Sequence, residues 1–112
     1  GHLAGDELLE TCARRWQAAL DPAIFLARYG GEEFALILSG KSASDAAEHL
    51  DRMRRATPAP VTLSIGYADH LDADPIADTL ERADQALYSA KDTGRDRLVR
   101  APIPVDEGDA IE

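Results

Sequence analysis

The stretch Arg28-Tyr29-Gly30-Gly31-Glu32-Glu33-Phe34 constrains this chain more than any other. Apolar residues of β type flank it, Ile24-Phe25-Leu26 before and Phe34-Ala35-Leu36-Ile37-Leu38 after. Two such runs joined at Gly-Gly spell a β-hairpin, because glycine adopts the positive φ that a tight turn requires. The spacing predicts strands over about residues 24–29 and 33–38. Two adjacent carboxylates then stand at the mouth of the glycine turn, where little side-chain bulk blocks a ligand. Oxygen donors so placed suit a hard divalent cation such as Mg2+, held against a phosphate. Taken alone, the stretch reads more simply as a solvated turn.

A length of 112 residues bounds the chain to one domain, and a hydrophobic content of 45% supplies a modest core. The formal net charge of −9 argues against nucleic-acid binding and against anionic membranes, both of which want a basic surface. It leaves room for a nucleotide, which needs only a local basic cluster. Cys12 is the single cysteine, which excludes an internal disulfide and fits a reducing cytosol. No apolar run approaches the roughly 20 residues of a membrane span, and no signal peptide is visible. A cytoplasmic location without membrane contact is the expectation. The chain opens on glycine, which suggests a processed, cut or tagged fragment. Gly1-His2 reads as a tag scar or as part of a motif considered below.

The first predicted element is a helix over about residues 6–20. Leu8, Cys12, Trp16 and Leu20 recur every four residues, with Leu9 and Ala13 on the same side. Asp6 and Glu7 would open it, where carboxylates suit the helix dipole. Cys12 and Trp16 lie on the apolar stripe and are assigned to the core, since no base stands beside the thiol. Asp21-Pro22 stops the helix. After the hairpin, Ser42 or Ser44 caps a second helix, Ser42 with Asp45 resembling a capping box. This helix runs to about residue 55, with Ala43, Ala46, Ala47, Leu50 and Met53 as its apolar face. Arg52, Arg54 and Arg55 form a solvated basic end. Residues 57–60, Thr-Pro-Ala-Pro, read as a stiff linker.

Residues 61–68 alternate and predict a strand. Val61, Leu63, Ile65 and Tyr67 share one face. The other, Thr62, Ser64, Gly66 and Ala68, is small enough for something to pack closely against it. An acidic loop over residues 70–74 leads to Asp74-Pro75, an N-cap acid followed by proline in the first helical position. Ile76, Leu80, Ala83, Leu87 and Ala90 mark the expected buried stripe of that helix, and Gly94 its C′ end. Residues 97–100 predict a final short strand, giving the order α-β-β-α-β-α-β. Residues 101–112 are rich in proline and acid and predict a disordered tail, leaving residues 1–100 as the domain. His2, His49 and His70 show no metal-ligand spacing and are assigned to the surface.

Four segments, in order, carry a resemblance. Gly30-Gly31-Glu32-Glu33-Phe34 is similar to the defining motif of the GGDEF family, the diguanylate cyclases. Residues 1–6 resemble that family's GHxxGD segment, Thr62-Leu63-Ser64-Ile65-Gly66 its TxSxG strand, and residues 83–95 its ADxALYxAKxxGR segment. The set spans the chain from Gly1 to about Val99. The implied fold is α+β, the nucleotidyl-cyclase palm with a ferredoxin-like core: an antiparallel sheet with helices. The family's first strand and first helix precede the GHxxGD segment and are absent from this sequence. The missing strand would lie between the second hairpin strand and the strand of residues 61–68.

The implied function is condensation of two GTP molecules into cyclic di-GMP, a bacterial second messenger, with release of pyrophosphate. The alternative is a non-catalytic module of the same family that binds GTP, or that dimerises and regulates a neighbour. By the same resemblance Glu32 is a metal ligand for Mg2+ or Mn2+, and Glu33 supports the metal or the attacking group. Gly31 belongs to the substrate site, and Asp6 would read the guanine edge. On residues alone, Asp6 reads as a simple N-cap. Lys91 and Arg95 would hold the terminal phosphates; on residues alone they read as a pair that compensates the helix dipole. The implied partners are GTP, a second copy in a catalytic homodimer, and a sensory or regulatory domain upstream. Two departures stand out. The family's metal-binding aspartate and guanine-binding asparagine of the first strand and helix are missing, so the fragment alone is expected to be inactive. The RxxD inhibitory site has no counterpart, because Asp21-Pro22-Ala23-Ile24 stands in its place.

Overall fold

In the computed structural model Cys12, Trp16 and Leu20 lie along the inner side of helix α1 (His2–Ala19) and its end, all three buried. The residues described are 2–20, 25–30, 33–38 and 43–104. They show seven elements in the expected order: α1, β1 (Phe25–Gly30), β2 (Glu33–Ile37), α2 (Ala43–Ala56), β3 (Ile65–Tyr67), α3 (Ile76–Asp92) and β4 (Leu98–Arg100). The strands pair as β1–β2 and β3–β4. The chain divides into two compact units, residues 1–63 and 64–112. No helix among the described residues is long and apolar enough to cross a membrane.

In the first unit α1 begins at His2, earlier than its apolar period suggests, because the apolar stripe marks only the part of a helix that packs. Met53 of α2 joins Cys12, Trp16 and Leu20 in one core, with Ala13, Phe34, Leu36, Leu38, Val61 and Leu63 packed against it. Phe34, Leu36 and Leu38 alternate, so they come from one face of the second hairpin strand. Phe34 meets Trp16 edge to face, with ring centroids 5.0 Å apart. The indole Nε1 donates to Thr57 Oγ1 at 2.7 Å, and that hydroxyl donates to the Met53 carbonyl at 3.2 Å. The polar edge of the largest core side chain is thus satisfied at the end of α2. Arg54 and Arg55 both pair with Asp51 one turn back, at 2.9 and 3.0 Å. The basic end of α2 is therefore tied down, and Arg52 remains exposed. Ser42 lies outside the described residues, and Ser44 falls inside the helix as its second residue.

In the second unit β3, α3 and β4 form a parallel β-α-β arrangement, with Ile65 opposite Leu98, Gly66 opposite Val99 and Tyr67 opposite Arg100. A parallel pair needs a crossover, and α3 supplies it. The expected strand over residues 61–68 shortens to three residues, because only Ile65–Tyr67 finds a partner; Val61 and Leu63 serve the core of the first unit instead. The Ala101 amide, at the start of the expected tail, donates to Tyr67 O at 2.7 Å and its residue is buried. Residues 105–112 lie outside the described residues.

Two expectations for α3 are corrected. Its N-cap is Pro75, with no side-chain cap bond. Asp74 sits one residue further out, and its carboxylate faces Arg82 at 3.5 Å. Its buried residues are Thr79, Ala86 and Ala90, whereas Ile76 and Leu80 are 58% and 42% exposed. The reason lies in the small face of β3. A Cβ built on Gly66 would fall well inside 3.0 Å of Ala83 O and Leu87 N, and 2.6 Å from Leu87 Cα. Helix and strand backbones touch there, and only small residues permit that. The helix buries small side chains, Thr79, Ala86 and Ala90, and Ile76 and Leu80 stay exposed. Gly66→Ala is expected to lose about 3 kcal/mol of stability, because backbone on both elements must move apart. Urea unfolding measures it, and wild-type stability would contradict the packing.

Candidate functional site

Of the two residues that face each other at the closed end of the hairpin, one is glycine and the other acidic. The register runs from Phe25 opposite Ile37 to Arg28 opposite Phe34, then shifts so that Gly30 pairs with Glu33. The shift inserts Tyr29 as an extra residue on β1, a bulge of the kind that re-aims a strand end. Glu33 is thereby the first residue of β2. Gly31 and Glu32 lie outside the described residues, as does the Asp21–Ile24 stretch. Among the described residues no group of three or more His, Cys, Asp or Glu side chains could hold a metal.

Asp6 is the fifth residue of α1, past the first turn, so its backbone position excludes the N-cap role. Beside it Gly5 faces open space, with no atom within 4 Å of a Cβ built there. A glycine inside a helix costs about 1 kcal/mol relative to alanine, and among the described residues no packing contact demands it.

The second unit carries the two cations at one end of α3, Lys91 in its last turn and Arg95 just beyond; both are exposed. Gly94 is the C′ residue, as expected, with φ of 128°. The Arg95 amide reaches back to Ala90 O at 2.9 Å, which completes a Schellman closure. The left-handed path then continues through two residues that are not glycine, Arg95 at φ 64° and Asp96 at φ 46°. Arg97 Nε donates to Arg95 O at 2.9 Å, and the Asp96 amide donates to Ser64 Oγ at 3.1 Å. Sequence reasoning used Ser64 only as a small residue, and its signal was the hydroxyl in the TxSxG strand.

A second polar cluster braces the loop between β3 and α3. His70 Nδ1 and Thr79 Oγ1 lie 2.7 Å apart, which satisfies the buried threonine. Arg82 Nη2 donates to Asp69 O at 3.0 Å, and Arg100 grips the Asp69 carboxylate through both nitrogens, at 3.0 and 2.6 Å. This hydrogen-bonded carboxylate raises the Arg100 pKa further, so the clamp stays charged. Of the histidines, His70 is exposed as expected and bonds Thr79, whereas His49 is half-buried, and its Nδ1 is buried with no hydrogen-bond partner among the described residues.

Cys12 is buried, and burial pushes its thiol pKa up, against a smaller lowering by Arg15. A folded pKa above the unfolded one means that the thiol's stabilising share is whole below about pH 8.5 and declines as pH rises beyond it. At pH 8 a thiol reagent such as a disulfide dye is expected to label native Cys12 at least about tenfold more slowly than the urea-unfolded chain. Equal labelling rates would contradict the burial.

A family model described as diguanylate cyclase, GGDEF domain, matches residues 1–97. The diguanylate cyclase DgcP of Pseudomonas aeruginosa is 40% identical over 108 residues, which cover 88% of this chain and 16% of that protein. The GGDEF domain of DgcB from Caulobacter crescentus, solved in complex with c-di-GMP, superposes with a TM-score of 0.81 at 32% identity, covering 90% of this chain and 67% of that one. The active GGEEF domain of a diguanylate cyclase from Vibrio cholerae gives a TM-score of 0.79 at 30% identity, covering 93% and 72%. The chain thus spans about a sixth of that curated relative.

Proposed function

The chain belongs to the GGDEF family, and from that premise we propose that it works as part of a diguanylate cyclase, condensing two GTP molecules into cyclic di-GMP. The observation that carries this reading is the hairpin whose closed end pairs Gly30 with Glu33 and leaves Gly31 and Glu32 as the connection. In each half-reaction a 3′-hydroxyl oxygen bonds to the α-phosphorus of the other nucleotide. The bond to pyrophosphate breaks, and the hydroxyl proton leaves.

Glu32 and Glu33 offer hard carboxylate oxygens, the donor set that fits Mg2+ or Mn2+. When bound, such an ion neutralises phosphate charge. Glu32 is assigned as the ligand, with Glu33 supporting the metal or the attacking hydroxyl. Gly31 leaves the backbone open to the substrate. Asp6 accepts from the two N–H donors of the guanine edge, which adenine lacks. Lys91 and Arg95 take the terminal phosphates. Their exposure at a helix end supports that role.

Two GTP molecules joined symmetrically call for two copies of the chain, so the active form is a homodimer. The greater length of the relatives supports a sensory or regulatory neighbour domain in the same protein. In the intact protein, Glu32→Gln is expected to lower GTP turnover at least about 100-fold with little change in folding. Nucleotide analysis of the products measures it. Wild-type turnover would sink the assignment, and GTP binding without turnover in the unaltered protein would favour a regulatory module.

With Asp21-Pro22-Ala23-Ile24 where an RxxD site would stand, cyclic di-GMP is not expected to inhibit through that stretch. Product titration into the turnover assay tests this. Non-competitive inhibition relieved by Asp21→Ala would contradict it.

A further inference from the structure

We propose that Ser64 is a positioning residue for Arg95: its hydroxyl holds the left-handed turn after α3 in the conformation that presents the Arg95 guanidinium to a phosphate. The inference rests on the reading of Arg95 as a ligand of the GTP phosphates.

Three successive residues, Gly94, Arg95 and Asp96, carry φ of 128°, 64° and 46°. Glycine adopts such angles without penalty, but Arg and Asp carry a Cβ that crowds the following carbonyl. A run of this kind persists only where surrounding bonds over-determine it. Three bonds hold it, two at Arg95 and one at Asp96. The Arg95 amide is held by Ala90 O at 2.9 Å, and the Arg95 carbonyl by Arg97 Nε at 2.9 Å. The Asp96 amide is held by Ser64 Oγ at 3.1 Å.

The first two ties are local to residues 90–97. The Ser64 tie alone among these three reaches across the sequence, 32 residues away. It is reinforced by the next residue, because the Ile65 amide donates to Arg97 O at 2.9 Å and opens the parallel ladder. Neighbouring groups of residues 64 and 65 therefore grip neighbouring groups of residues 96 and 97. Ser64 is half-buried while Arg95 is exposed. The hydroxyl works from the protein side of the turn and leaves the guanidinium open to solvent. Alanine at this position would keep the packing on the small face of β3 and remove only the acceptor.

The test is GTP binding by calorimetric titration of the intact protein and its Ser64→Ala, Arg95→Ala, Asp96→Gly and combined variants. Ser64→Ala is expected to weaken GTP binding about three- to tenfold, the loss that one neutral hydrogen bond carries. In the Arg95→Ala background it should add no further loss, because Ser64 acts through Arg95. Asp96→Gly should restore part of the binding to Ser64→Ala, since glycine holds the left-handed angle unaided. A merely structural hydroxyl would give neither the non-additivity nor the rescue.

Arg95→Ala binding GTP like the wild type would overturn the phosphate assignment itself, and this inference with it. Weakened binding by Arg95→Ala, together with wild-type binding by Ser64→Ala or fully additive losses, would overturn the positioning role alone. Amide exchange of the unaltered protein gives a reading that needs no variant to fold. The Asp96 amide should be protected, and exchange at the rate of an open peptide would refute the tie.

Discussion

Backbone contact between β3 and α3 at Gly66 is the constraint on which the second unit depends. The helix reaches the strand closely enough that Ala83 O and Leu87 N occupy the space of a side chain at residue 66. That approach decides which residues of α3 turn inward, and so which apolar ones stay outside. It also explains the economy of the β3–β4 pair, which is only three residues long on each strand. So short a ladder needs a covering helix pressed directly against it. The end of α3 inherits its position from the same contact, and with it come Lys91, Gly94 and the turn that follows.

In the first unit a larger side chain plays the organising part. Trp16 brings α1, the hairpin and the end of α2 together: its ring edge meets Phe34, and its N–H meets Thr57. Burying an indole without a partner for Nε1 would cost about 1–3 kcal/mol. The relay from Trp16 through Thr57 to the Met53 carbonyl removes that cost and sets where α2 ends. The hairpin is thereby held along its apolar strand.

The hairpin, the order of the seven elements and the glycine end of α3 were legible in the sequence because each rests on local rules: alternation, period and glycine. The family was legible because four motifs stand in order. What was misread depends on partners that no local rule specifies. Asp74 resembles an N-cap acid, but Arg82, eight residues on, draws its carboxylate away. The stripe through Ile76 and Leu80 obeys helical period, but the glycine on β3 rewards small side chains more than large ones. The strand of residues 61–68 alternates throughout, yet a strand needs a ladder, and β4 supplies one for only three residues. Asp6 looked like an N-cap because the apolar stripe begins after it, while the helix itself begins at His2. Lys91 and Arg95 could be placed at the same end of α3 from the sequence, because they flank its Gly94 stop. The hydroxyl that accepts from the Asp96 amide could not, because it comes from residue 64.

The turn after α3 shows how a cost in the backbone points to a use. Two non-glycine residues at positive φ cost about 1–3 kcal/mol each, a substantial share of a margin of about 5–15 kcal/mol. Glycine at both positions would relieve that strain, and at Gly94 the chain does use it. At residue 95 it keeps an arginine, whose side chain is exposed. A guanidinium contributes nothing to the Schellman closure, since the bond to Ala90 O uses only the backbone amide. On the proposed reading, its value lies in the phosphate that it meets from solvent. An exposed cation whose backbone is tied on both sides would lose less freedom on binding an anion than one on a free chain. On that reading, the strain at Arg95, the hydroxyl of Ser64 and the small face of β3 are parts of one arrangement that presents positive charge to a phosphate.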